Sequence, residues 1–134
     1  MKEIYLAGGC FWGLQKFFDQ FNGVHETEVG YANGPDHTPS YQDVCNNSGH
    51  AETVRIVYDE SKLSLEKILD YYFMVIDPTS VNRQGNDIGI QYRTGIYYTD
   101  KEQLPELMSV YEKEQHKTDL PNLVYRPSWR YCRD

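Results

Sequence analysis

Glu3-Ile4-Tyr5-Leu6-Ala7-Gly8-Gly9-Cys10-Phe11-Trp12-Gly13-Leu14-Gln15-Lys16-Phe17-Phe18-Asp19-Gln20-Phe21-Asn22-Gly23 is the stretch from which the fold can be read. Glu3 to Ala7 has the composition of a short strand, and Gly8-Gly9 supplies a turn. Leu14, Phe17, Phe18 and Phe21 then recur at helical spacing, with Phe11 one turn earlier. Asn22-Gly23 predicts the helix stop. Strand, glycine turn and helix follow in quick order, and Cys10 falls at the helix start.

That position matters chemically. A thiolate is the nucleophile and a thiol is not; a free cysteine titrates near ~8.5, and a helix N-terminus lowers that value. Unpaired backbone N–H groups there carry partial positive charge. The flanking Gly8, Gly9 and Gly13 allow substrate and backbone to approach closely. Phe11 and Trp12 place two large rings beside the sulfur, and Trp12 lies off the Leu14-Phe17-Phe18 stripe, where it can line a surface pocket. For an average cysteine, burial as a small packing residue is the better expectation. The glycine turn, the helix start and the off-stripe Trp12 together favour a reactive thiolate in a redox reaction.

Outward from this segment, Val24 to Tyr31 reads as a second strand and Ala51 to Tyr58 as a third, with Glu52, Val54, Ile56 and Tyr58 on one face. Between them, residues 33–49 are rich in Gly, Pro, Asn and Ser, a long loop of the kind that carries function. Ser64 caps a predicted helix through Leu65, Ile68, Leu69, Tyr72 and Phe73, which Asp77-Pro78 ends. Thr79 to Gly89 reads as a second polar loop and Arg93 to Thr99 as a fourth strand. Asp100 with Gln103 resembles a capping box for a last helix through Leu104, Leu107, Met108 and Tyr111. The tail from Thr118 has no clear period. The order strand, helix, strand, strand, helix, strand, helix predicts an α+β two-layer sandwich with a ferredoxin-like split βαβ core.

The chain has 134 residues, which favours one domain. Hydrophobic residues make up 40% and charged residues 25%, an ordinary globular balance. The net charge of -7 argues against a nucleic-acid module, which needs a basic face, and weakly against an anionic membrane surface. No apolar run approaches the ~18 residues of a spanning helix. The N-terminus enters a strand without an h-region or a small-residue cleavage site, so no signal peptide is expected and a cytoplasmic location is the default. Cys10, Cys45 and Cys132 are an odd number for a disulfide framework. No two cysteines are close in sequence, and His25, His37, His50 and His116 are scattered, so neither a metal site nor a cofactor is expected.

Further segments extend the pattern: Gly30-Tyr31-Ala32-Asn33-Gly34, Pro39-Ser40-Tyr41, Val44-Cys45, Gly49-His50-Ala51-Glu52, Asp77-Pro78 and the run from Arg83 to Arg93. With Gly9-Cys10-Phe11-Trp12-Gly13, their order and spacing resemble the A-type peptide methionine sulfoxide reductase family over roughly residues 3 to 116. The resemblance implies reduction of the S epimer of methionine sulfoxide, free or in proteins, a lesion repaired by a separate enzyme for each epimer. It implies that Cys10 attacks the sulfoxide sulfur and that Glu52 donates a proton to the departing oxygen. A donor must hold its proton near neutral pH, most simply through burial in an apolar pocket. Alone, Glu52 would read as a solvated rim residue. Tyr41 and Tyr92 are implied to hydrogen-bond the oxygen, Asp87 to orient the constellation, and Phe11 with Trp12 to hold the S-methyl group. Among twelve tyrosines, packing or surface is the ordinary role for any one, and Asp87 alone would read as a turn residue.

After attack, Cys10 becomes a sulfenic acid, and a second thiol condenses with it to a disulfide. The resemblance implies thioredoxin as reductant, with oxidised proteins or free methionine sulfoxide as substrate. The family commonly ends in a strand, a helix with a Tyr-His-Gln type motif and a glycine-rich tail bearing resolving cysteines. This chain departs from that pattern after about Gln115, so residues 1–134 are expected to form one catalytic domain with a shortened, atypical tail from about residue 117. Cys132, flanked by Arg130 and Arg133, is the candidate resolving thiol. Cys45 matches a family position not needed for turnover and reads as structural; direct attack by a small thiol or glutaredoxin is the third route. A monomer is expected. Two other classes remain open on the residues alone: a cysteine hydrolase, with His50 as base, and a ferredoxin-like binding module.

Overall fold

The computed structural model describes residues 1–32, 51–76, 83–84, 87–88, 92–117, 124–125 and 132–133. Four strands form the centre of the sheet: β1 (Lys2–Ala7), β2 (Val24–Ala32), β3 (Ala51–Tyr58) and β6 (Gly95–Tyr97). Two short strands, β4 (Arg83–Gln84) and β5 (Asp87–Ile88), pair with each other. The tail adds β7 (Val124–Tyr125) and β8 (Cys132–Arg133). The sheet order is β7-β6-β1-β3-β2-β8. β3 lies antiparallel between β1 and β2, and β6 lies antiparallel on the other side of β1. This is the split βαβ core that the element order predicts.

Leu6 registers with Val54 and Ile96, and Val54 with Val29, so one apolar row crosses four strands. Three helices cover that face: α1 (Phe11–Asp19), α2 (Leu65–Val75) and α3 (Leu104–Lys117). α1 buries Phe11, Leu14 and Phe18; α2 buries Leu65, Ile68, Leu69 and Tyr72; α3 buries Leu107, Val110 and Tyr111. Each set repeats at three and four residues, the spacing that turns one stripe of a helix toward a sheet. Tyr5, Ala7, Ala51 and Tyr97 form a smaller buried cluster of their own. β1 and β3 are therefore buried on both faces along much of their length: Ile4–Ala7 of β1 is a continuous apolar run, and in β3 the buried Glu52 and Thr53 and the half-buried Arg55 interrupt the apolar residues.

Ser64 caps α2 as predicted, its side chain accepting from Lys67 N at 3.2 Å. The capping box at Asp100 does not form. Asp100 accepts from Glu102 N at 2.9 Å and caps a 3-10 turn, Lys101–Gln103, ahead of α3. Gln103 turns inward instead, its Nε2 donating to Glu3 O at 2.8 Å and to the Tyr58 hydroxyl at 3.1 Å. A buried amide takes the partners the core offers before it folds back on its own backbone.

Other boundaries also move. α1 ends at Asp19, and Gly23, at φ 111°, serves the turn into β2, where a Cβ would lie 2.7 Å from Leu63 Cβ. The fourth strand is Gly95–Tyr97, shorter than the predicted 93–99. The predicted polar loop 79–89 contains the β4–β5 hairpin, and the tail supplies both edge strands, β7 parallel to β6 and β8 antiparallel to β2. Strands of two residues carry too little alternation to be read from sequence. No described helix is long and apolar enough to cross a membrane.

Candidate active site

Cys10 is the N-cap of α1, at φ −69° and ψ 124°, and its side chain makes no capping hydrogen bond. Its carbonyl takes that load, accepting from Gly13 N at 3.1 Å and Leu14 N at 3.3 Å. The half-buried free thiol thus stands at the positive end of a helix without being committed to the backbone.

The turn that delivers it admits little else. Gly9 has φ 77°, a left-handed conformation, and a Cβ on it would lie 3.0 Å from Gln84 Cβ. A Cβ on Gly8 would meet Ile76 Cγ2 at 2.9 Å. Gly9 N donates to Tyr92 O at 3.1 Å, which ties the half-buried Tyr92 to the residue before Cys10. Below the turn, the Tyr72 hydroxyl donates to the Ala7 carbonyl, with Gly95 O a second acceptor at 3.2 Å. Tyr72 therefore joins the end of β1 to the start of β6. Burial raises its pKa well above the usual tyrosine value and keeps it a neutral donor. Tyr72 reads in the sequence only as one member of a helix stripe; the available signal is that a fully buried tyrosine needs a partner for its hydroxyl.

Glu52 arrives from β3. It is 1% exposed, and its Oε1 accepts from Phe11 N at 3.2 Å. Strand register explains its reach: Glu52 pairs with Tyr31, at the ends of β3 and β2 beneath the start of α1. The fully buried Phe11 ring lies 5.6 Å from the Tyr31 ring and 5.0 Å from Trp12. Trp12 is 55% exposed, so it is the ring offered to the surface, with Phe11 backing it.

Asp87 pairs with Gln84 across the β4–β5 hairpin. Cys132 pairs with Tyr31, the residue whose other neighbour is Glu52. Tyr41, Cys45 and His50 lie outside the described residues. The described chain thus gathers Cys10, Phe11, Trp12, Glu52 and Tyr92 about one helix start, and brings the backbones of Asp87 and Cys132 to elements next to it.

Two pockets show that volume does not choose the site. The larger, about 380 Å³, lies between the start of β1 and Asp100 and is lined by polar and charged groups including Lys2, Glu3 and Arg55. None of its described lining residues is a cysteine. The smaller, about 260 Å³, has Cys10 in its wall. Among the described residues, no group of three or more His, Cys, Asp or Glu could hold a metal ion.

A family model described as peptide methionine sulfoxide reductase matches residues 2–125. The chain is 54% identical to the peptide methionine sulfoxide reductase MsrA of Clostridium acetobutylicum over 122 residues, covering 90% of this chain and 75% of that protein. It is 57% identical to the enzyme of the same name from Lachnoclostridium phytofermentans, over 90% of this chain and 73% of that one. Among solved structures, methionine sulfoxide reductase A of Corynebacterium diphtheriae superimposes with a TM-score of 0.85 at 29% identity, over 98% of this chain and 69% of that one. A free cysteine at a strand–glycine–helix junction and a family match over nearly the whole chain agree: this chain belongs to the peptide methionine sulfoxide reductase family.

Proposed function

We propose that this chain reduces the S epimer of methionine sulfoxide, free or in proteins, with Cys10 as the attacking thiolate. The observation that carries the proposal is the meeting of Cys10 and Glu52 at one helix start: an uncommitted thiol at the N-cap, and a buried carboxyl bonded to the next residue's N–H. Cys10 Sγ attacks the sulfoxide sulfur. Glu52 gives its proton to the sulfoxide oxygen as the S–O bond breaks. Burial favours the protonated carboxyl that this step requires. Tyr92, fixed through Gly9, and Tyr41 hydrogen-bond the oxygen, and Asp87 orients the group. Trp12, backed by Phe11, holds the S-methyl.

The Sγ–S bond formed in the attack is then broken by the released hydroxide, or a water, attacking Cys10 Sγ. Methionine leaves with the bonding pair and Cys10 is left as a sulfenic acid, so the sulfoxide gains two electrons and Cys10 loses two. Cys132 then condenses with it, releasing water and forming a disulfide, which thioredoxin, or glutaredoxin, reduces. Residues 1–134 act as one catalytic domain, monomeric and cytoplasmic. The edge strands contributed by the tail support this reading, because they build residues 124–125 and 132–133 into the same sheet.

The test is reduction of purified S and R epimers of methionine sulfoxide with dithiothreitol. The S epimer should turn over, and Cys10→Ser should abolish turnover while its circular dichroism stays native. Activity on the R epimer alone, or on neither, would reject the proposal.

A further inference from the structure

Cys10 lies between two different surfaces. Trp12 stands on one. The other is the pocket of about 260 Å³, walled by Gly13, Leu14 and Phe17 of α1 and by Val75 and Ile76 at the end of α2. Residues 10, 13, 14 and 17 form one helical stripe, and Trp12 lies about 100° round the helix from Gly13. Gly13 leaves the pocket open, since a Cβ there would meet nothing within 4 Å. Val75, in the pocket wall, is 46% exposed, so part of that wall is apolar and wet. Gly9, from the turn before Cys10, and Gln84, from β4, also line it.

We infer that this pocket receives an apolar side chain adjacent to the methionine sulfoxide in a peptide substrate. The inference rests on Cys10 being the nucleophile. Because Cys10 forms part of the wall, whatever fills the pocket lies within a side chain's length of the reacting sulfur. The volume is below the ~300 Å³ at which small-molecule pockets begin, and it suits a single side chain. Leu14, Phe17, Val75 and Ile76 give the pocket an apolar side, and none of its described lining residues is Asp, Glu, Lys, Arg or His, so burying a charged group there would be costly. In an extended peptide, neighbouring side chains point to opposite sides. A methionine sulfoxide turned toward Trp12 therefore sends its neighbour away from Trp12, toward Gly13 and Val75. The pocket makes the enzyme a reader of the residue next to the lesion.

The experiment compares kcat/KM in dithiothreitol for free methionine S-sulfoxide and for capped peptides with Ala or Leu placed on either side of the sulfoxide. A Leu neighbour on one side should raise kcat/KM about 10-fold over Ala, the discrimination typical of a few methylenes in an apolar pocket. Val75→Ser, at a half-exposed position, and Gly13→Leu, which fills the open space, should each bring that Leu-to-Ala ratio close to one. A ratio near one in the unaltered protein, with normal reduction of free sulfoxide, overturns the inference and leaves the reductase reading intact. Failure on every S-sulfoxide overturns the reductase reading itself. Should the two variants keep the ratio and slow only thioredoxin-coupled turnover, the pocket serves the reductant and the inference is wrong.

Discussion

The backbone N–H of Phe11 donates to Oε1 of Glu52 across 3.2 Å, joining residues 41 positions apart in sequence. One carboxyl thereby satisfies an orphan donor of α1 at the residue next to Cys10, the proposed nucleophile. Glu52→Gln separates the two roles, because an amide oxygen can still accept from Phe11 N while the acidic proton is lost. Its kcat should fall by about 100-fold or more, the usual worth of a general acid. Stability should change by less than about 1 kcal/mol. Full activity in this variant, measured with dithiothreitol, would remove Glu52 from the mechanism.

The two glycines on either side of Cys10 should respond in opposite ways. Gly9→Ala forces a side chain into a left-handed conformation and against Gln84, so it should destabilise by about 1–2 kcal/mol and lower activity. Gly13→Ala adds a methyl to open space in a helix and should stabilise by up to about 1 kcal/mol. Urea unfolding of both variants checks the pair. Equal effects would mean that the glycine turn is not what places Cys10.

Tyr72→Phe removes the donor shared by the Ala7 and Gly95 carbonyls. Leaving buried acceptors unpaired should cost about 1–3 kcal/mol. These carbonyls end β1 and begin β6, so kcat should fall with stability. A fully stable, fully active variant would show that the strand ends hold themselves.

Alkaline pH should weaken the fold. Burial, partly offset by the hydrogen bond from Gln103, pushes Tyr58 up from 10.0 to about 12, and burial also raises Tyr72 well above its usual value. Above pH 10 the unfolded chain loses these protons first, so stability is complete below that value and falls as pH rises toward about 12. Tyr58→Phe should flatten the slope, read as the urea midpoint against pH. An unchanged slope would mean that Tyr58 titrates normally.

Trapping after one equivalent of methionine sulfoxide, without reductant, should give a Cys10–Cys132 disulfide by mass spectrometry. β8 pairs Cys132 with Tyr31 of β2, whose other neighbour is Glu52, which brings the backbone of Cys132 toward the start of α1. A Cys10–Cys45 bridge, or a lasting sulfenic acid, would assign the resolving step elsewhere.

Much of the site was legible one segment at a time. Strand β1, the Gly8-Gly9 turn, Cys10 at the start of α1 and the off-stripe Trp12 follow from spacing and residue type, because each depends on neighbours within a turn or two. Glu52 was legible only through the ordered motifs, since a lone glutamate on a strand gives no sign of what lies above it. The capping box that Asp100 and Gln103 predict does not form because Gln103 bonds instead to Glu3 and Tyr58, residues 100 and 45 positions away.

By itself, then, the sequence determined the local periods, the glycine turn after β1, and the cysteine at a helix start. Those are short-range matters of backbone sterics and side-chain spacing. The tertiary structure alone decided that the Glu52 end of β3 lies under α1, that Tyr72 ties two strand ends, that the tail supplies both sheet edges, and that Cys10 borders an apolar pocket as well as Trp12. Each depends on strand register and helix packing between distant segments, where the lowest free energy is set by burial and hydrogen-bond satisfaction of the whole core.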